Sequence, residues 1–139
     1  MAEVEARLEE LGIVLPERLE ASPGLRLPFS WVRMHGSRAY VSGHSALNPD
    51  GSVARPLGKV GAEVSPEQGY EAARLTALAI LASLRRELGD LDRVTPWLRV
   101  FGMVNAAPAS PSNPTSSTGI RISSWKCTVP RRAATPAQR

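Results

Sequence analysis

The stretch from Pro66 to Leu88 constrains this chain more than any other. Ser65 is a competent N-cap, Pro66 suits the first helical position, and Gln68 stands where a capping box needs it. Gly89 follows the last periodic residue, and Arg85 and Arg86 favour the negative end of the helix dipole. The window predicts one uninterrupted helix. Tyr70, Ala73, Ala77, Leu81, Leu84 and Leu88 recur at helical spacing and form an apolar stripe. Ala72, Ala73, Ala77, Ala79 and Ala82 carry little bulk, which suits close packing on a flat surface such as a sheet. Leu75 to Leu84 is the most apolar part, about half of the ~20 residues a membrane span needs, and Thr76 and Ser83 interrupt it.

The chain before the helix supplies strands to pack against. Trp31-Val32-Arg33-Met34 and Ala39-Tyr40-Val41 flank a polar turn at His35-Gly36-Ser37-Arg38, which predicts a hairpin. Asn48-Pro49-Asp50-Gly51 is a second turn, followed by a loop from Pro56 to Gly61. Glu3 to Leu11 reads as a short amphipathic helix with Val4, Leu8 and Leu11 on one face, closed by Gly12. Pro16, Pro23 and Pro28 mark an extended connection. After the turn at Asp90-Leu91-Asp92, Val94 to Val104 reads as a long strand. There Trp97, Arg99, Phe101 and Met103 alternate with Leu98, Val100, Gly102 and Val104, and Pro96 implies an edge or an irregular entry. Helix, hairpin, long helix, strand is the order of an α+β domain, with a helix packed on an antiparallel or mixed sheet.

Charge divides the chain unevenly. The 139 residues hold 17 Lys and Arg against 13 Asp and Glu, a net of +4 with a pI near 10.0. Residues 1–108 contain all 13 acids and 12 of the bases, a net of −1. Residues 109–139 contain no acid, and Arg121, Lys126, Arg131, Arg132 and Arg139 bring +5. The basic pI therefore belongs to the tail and is poor evidence for a nucleic-acid partner. The lone Cys127 excludes an internal disulfide framework and a zinc site built on several thiolates. The first ten residues carry four glutamates and no apolar core, so a secretory signal is not expected and the cytoplasm is.

Few residues offer chemistry. His35 and His44 are the only histidines, and neither has an acid or cysteine at metal-ligand spacing, so no metal or cofactor is expected. His35 sits in a turn and reads as solvated. His44 follows Ser42-Gly43 at a strand end, a better place for a site residue. That trio is no catalytic triad, since it lacks a nucleophile elbow and an orienting carboxylate. Gly58-Lys59-Val60-Gly61 lacks the spacing of a phosphate loop and reads as surface. Asp90 and Asp92 read as solvated turn acids, and Cys127 lies in a tail without histidine. Taken alone, these residues define a small α+β domain and nothing finer.

Six elements in order carry a resemblance. They are Val4-Glu5-Ala6-Arg7-Leu8 with Leu11-Gly12-Ile13, Tyr40-Val41-Ser42-Gly43-His44, Gly58-Lys59-Val60-Gly61, Gly69-Tyr70-Glu71-Ala72-Ala73-Arg74, Gly89-Asp90-Leu91-Asp92-Arg93-Val94, and Val104-Asn105-Ala106-Ala107-Pro108. Over residues 1–108 the chain resembles the Rid/YjgF family, also called the endoribonuclease L-PSP family, in its subgroup with an extra N-terminal helix. The resemblance implies a chorismate-mutase-like fold, a mixed sheet packed by a long helix, and homotrimers with ligand clefts between subunits. It implies hydrolytic deamination of reactive enamine or imine intermediates of amino-acid metabolism, without a cofactor. Ser42, Gly43, His44 and Asn105 fall at the expected metabolite site. An arginine from a late strand is expected to pair with the substrate carboxylate. The helix and strands that follow Pro108 in such proteins, including an arginine after a His-Ala pair, have no counterpart here. The non-enzymatic alternative is a trimeric module that binds a small metabolite. RNA binding is disfavoured by the acidic body and by the lack of an aromatic-basic platform.

The tail explains the missing part. Its codons, back-translated and read from the third base of Pro108, permit GFTQQPHVIDGYSDLLVEVYG and then, a few codons on, HAR. Those strings are what the resemblance leads one to expect after Pro108. Trp125 has a single codon, and its last base joined to Lys126 forces the glutamate in that string. Loss of one base near codon 108 accounts for the change of character. A natural basic arm and an engineered end are the competing readings. Under all three the Pro/Ser/Thr-rich composition of 109–139 suits disorder.

Overall fold

In the computed structural model, residues 3–19 and 27–108 are described. Five elements follow one another: α1 (Glu3–Glu10), β1 (Val32–His35), β2 (Arg38–Val41), α2 (Pro66–Leu88) and a 3-10 turn (Leu91–Arg93). This is a small α+β arrangement of one long helix and a two-stranded antiparallel sheet. The expected disorder of 109–139, and Cys127 within it, lie outside the described residues.

Both ends of α2 are set by the residues that predict them. Ser65 Oγ accepts from Gln68 N at 3.2 Å while Gln68 Oε1 accepts from Ser65 N at 2.9 Å, the reciprocal capping box. Gly89 ends the helix with φ at 78°, a left-handed conformation, and donates its N–H to Arg85 O. The C-terminal half of the expected stripe meets the core, with Leu84 buried and Leu81 and Leu88 packed against it, whereas the N-terminal half does not. Tyr70 is 69% exposed, and the buried positions are Leu78, Ala79, Ala82, Ser83 and Leu84. The cause is tertiary: the hairpin packs on the C-terminal half of the helix, and Leu84, only 2% exposed, joins Val32 and Leu91 in the core. Val4, Leu8, Val41 and Leu88 pack around that cluster, so α1 and the hairpin are fastened at the same point.

The hairpin pairs Val32 with Val41 and His35 with Arg38, leaving Gly36-Ser37 as a two-residue turn. Gly36 has φ at 56°, which suits such turns. The predicted turn at Asn48 to Gly51 closes with Gly51 N donating to Asn48 O at 3.0 Å. Gly51 has φ at 83°, and a Cβ there would stand 2.7 Å from Arg18 O. Only glycine lets the segment after α1 lie against this turn.

Two expectations need correction. Val94 to Val104 forms no strand: after the 3-10 turn the chain runs without ladder pairing until the isolated bridge of Val60 with Ala106. A strand requires a neighbour, and no described segment lies beside this one. Its alternation has apolar residues on both faces, the pattern of a strand covered on both sides. Here Leu98, Phe101 and Met103 are instead 74%, 76% and 85% exposed. Asp90 and Asp92, read as solvated, are caps. Asp92 accepts the N–H groups of Glu3 and Val4 at 2.6 and 2.9 Å, and Asp90 accepts from Asp92 N at 2.8 Å. A carboxylate at the start of α1 meets the positive end of its dipole.

Candidate functional site

The Ser42-Gly43-His44 segment leaves β2 and crosses the C-terminal half of α2. Its backbone is pinned on one side, with Ser42 N donating to Trp31 O at 2.9 Å and Ser42 Oγ donating to Ser30 O at 2.7 Å. The Ser42 hydroxyl is thereby spent on structure. Gly43 is exposed, and a Cβ added there would meet nothing within 4 Å, so this residue faces open space.

His44 is held from both ring nitrogens. Nδ1 lies 2.7 Å from Ser42 O, and Nε2 lies 2.8 Å from Ser83 Oγ. A carbonyl only accepts, so Nδ1 carries the proton and the Nε2 lone pair receives the Ser83 hydroxyl. Arg86 Nη2 then donates to Ser83 Oγ at 3.0 Å, and Nη1 donates to Pro16 O at 3.2 Å. The Trp31 ring lies 5.0 Å from the imidazole, tilted at 51°. Burial pushes the His44 pKa down; the Ser42 carbonyl opposes this, and the nearby Arg86 charge adds to it. The ring is thus a neutral, fixed imidazole at physiological pH.

The space between Leu19, Trp31, His44, Ser45, Leu47 and Ser83 is about 10 Å³, no more than one water. A larger hollow of about 180 Å³ opens at the N-terminal half of α2, lined by Ala54, Arg55, Pro56, Gln68, Glu71, Ala72 and Leu75. Its Glu71 carboxylate is engaged by Arg74 at 2.9 Å, which holds it below the ordinary carboxylate range. Oxygens of Glu5, Asp90 and Asp92 lie within 4.8 Å of one another, but Glu5 Oε1 accepts from Leu91 N, and both aspartates serve as caps.

Of the predicted site residues, Ser42, Gly43 and His44 form one continuous surface. Asn105 sits elsewhere: its carbonyl accepts from Val60 N at 2.9 Å, docking Asn105–Ala107 beside the Gly58–Gly61 loop. His35 is exposed at the end of β1. Sequence reasoning missed Ser83 and Arg86 as partners of His44. Ser83 had left a trace as a polar interruption of the most apolar stretch, while Arg86 read simply as a dipole charge.

A two-stranded hairpin fastened on one long helix, with a histidine-anchored strand end, defines a small α+β domain. No protein-family model matches the chain. Protein TCP17 of Trypanosoma cruzi is 35% identical over 106 residues, covering 76% of this chain and 62% of that protein. The solved structure of a candidate endoribonuclease from Shewanella oneidensis MR-1 is similar at a TM-score of 0.54 and 31% identity, covering 64% of this chain and 55% of that one. The chain thus spans somewhat more than half the length of each relative. This structural likeness supports the resemblance to the Rid/YjgF family that the six ordered elements carry.

Proposed function

We propose that residues 1–108 are the body of a metabolite site for hydrolytic deamination of enamines or imines, and that the 139-residue chain performs this reaction poorly. In such a hydrolysis water adds to the C=N carbon, and the carbinolamine expels ammonia to leave a carbonyl. The chain's own contribution is the Ser42–Gly43 strand end, open at Gly43 and braced behind by His44. The cleft is completed between subunits of a homotrimer, and Asn105 and the carboxylate-binding arginine belong to its far side.

The observation that carries the impairment is the unpaired run after the 3-10 turn. Its apolar residues are exposed on both faces, as expected of a strand whose neighbours are missing. We propose that residues 109–139 are those neighbours read one base out of frame, since a permitted choice of codons in the shifted frame reads the expected strings and the HAR arginine. The nucleotide sequence around codon 108 tests this, and an in-frame gene whose codons forbid those strings contradicts it. Imines generated from amino acids should be hydrolysed little faster with the purified chain than without it. Robust turnover would overturn the impairment. Trimers that bind the carbonyl product without turnover would favour the binding module.

A further inference from the structure

The hydrogen bonds around His44 run in one direction. Arg86 donates to Ser83, Ser83 donates to His44 Nε2, and His44 Nδ1 donates to Ser42 O. Each step leaves the next group a single role. A carbonyl cannot donate, so the ring proton is on Nδ1; a bare Nε2 cannot donate, so the serine must; a serine whose proton is committed offers its lone pairs to the guanidinium. Arg86 is itself tied to Pro16 O, and the tilted Trp31 ring stands against the imidazole. Helix α2 thereby reaches a carbonyl beside the open Gly43, through a residue 39 positions away in sequence.

We propose that Ser83 and Arg86 are positioning residues for the Ser42–Gly43 strand end: they fix the His44 ring, and the ring fixes the Ser42 carbonyl against which a metabolite is seated. The positioning rests on the hydrogen bonds alone; its use for a metabolite rests on the function proposed above. A hydrophobic residue at position 83 would fill the same space, since its neighbours Leu78, Ala79, Ala82 and Leu84 are buried and apolar. The polar chain spends its bonds on one carbonyl, and of its side chains Ser83 is the buried one, at 4% exposure.

Two histidines make the test direct. Magic-angle-spinning NMR of the ¹⁵N-histidine-labelled full chain reads both rings whatever the assembly size, with exposed His35 as internal reference. The groups facing His44 are Trp31, Ser42, Ser83 and Arg86, with Arg18 acting on Arg86. His44 is expected as the Nδ1–H tautomer, titrating below the ordinary histidine value of 6.5. Ser83→Ala should release the tautomer and move the titration, whereas Ser83→Thr, which keeps the hydroxyl, should preserve both. Arg86→Gln should raise the titration. An Nε2–H tautomer in the parent, or unchanged ring signals in a folded Ser83→Ala, overturns the proposal. Helical circular dichroism identifies a variant that has lost its fold, and Ser83→Thr then decides, since loss of the Nδ1–H tautomer in that folded variant also overturns the proposal. Pyruvate, a 2-oxo acid of the product class, should bind Ser83→Ala about tenfold more weakly than parent and Ser83→Thr. Equal binding to all three overturns the metabolite role. If none binds, the metabolite role is overturned, while the ring signals still decide the positioning and turnover by the reframed protein still decides the proposed function.

Discussion

His44 is kept neutral chiefly by burial, and the Ser42 carbonyl, which favours the charged ring, only partly offsets this. A folded-state pKa below the unfolded value near 6.5 means that the unfolded chain takes up a proton first as the pH falls. Stability is therefore full above about 6.5 and is lost as the pH drops towards the folded value. Denaturant midpoints should decline across that window in the parent and decline less in His44→Asn. Equal slopes in the two proteins would contradict the stabilising role of a neutral His44. At the core, Leu84→Ala should cost about 2–5 kcal/mol by denaturant unfolding, because the space it leaves beneath Val32 and Leu91 has little that can collapse into it. Gly43→Ala should leave stability nearly unchanged, since its Cβ would enter open space, yet weaken pyruvate binding. At this scale the sequence made Ser42, Gly43 and His44 legible as neighbours. It could not make the His44–Ser83 bond legible, because that bond depends on how α2 is rotated against the hairpin.

Elements differ in how far their own residues determine them. The limits of α2, Pro66 and Leu88, are legible to the residue because its capping box and its left-handed glycine are local devices. The hairpin is legible for the same reason, with its turn at Gly36-Ser37. Exposure of Tyr70 at the start of the stripe is not legible, because periodicity does not say how far along α2 the hairpin packs. Val94 to Val104 has the composition of a strand and lacks the neighbour that would make it one. Extended chain with exposed Leu98, Val100, Phe101 and Met103 invites association. Replacing Val100 and Phe101 with lysine should shift the protein to smaller species by light scattering, with the helical signal of α2 retained. Undiminished association would place the adhesive surface elsewhere.

Across the whole molecule, the charge changes character near residue 108, where the described residues end. The body is net −1 over residues 1–108 and carries the α+β arrangement, while every unbalanced positive charge lies beyond it. The likeness to the Shewanella oneidensis structure covers 64% of the chain. No helix among the described residues is long and apolar enough to cross a membrane. The proposed function holds that this body serves imine hydrolysis once the frame after codon 108 is restored. Its most direct test inserts one base in codon 108 and compares imine hydrolysis by the resulting protein with that of the 139-residue chain. The account predicts turnover by the reframed protein about a hundredfold or more above that of the present chain, a gain of roughly 2.7 kcal/mol in transition-state stabilisation. Equal rates for the two proteins, or a reframed protein that folds but remains inert, would contradict it.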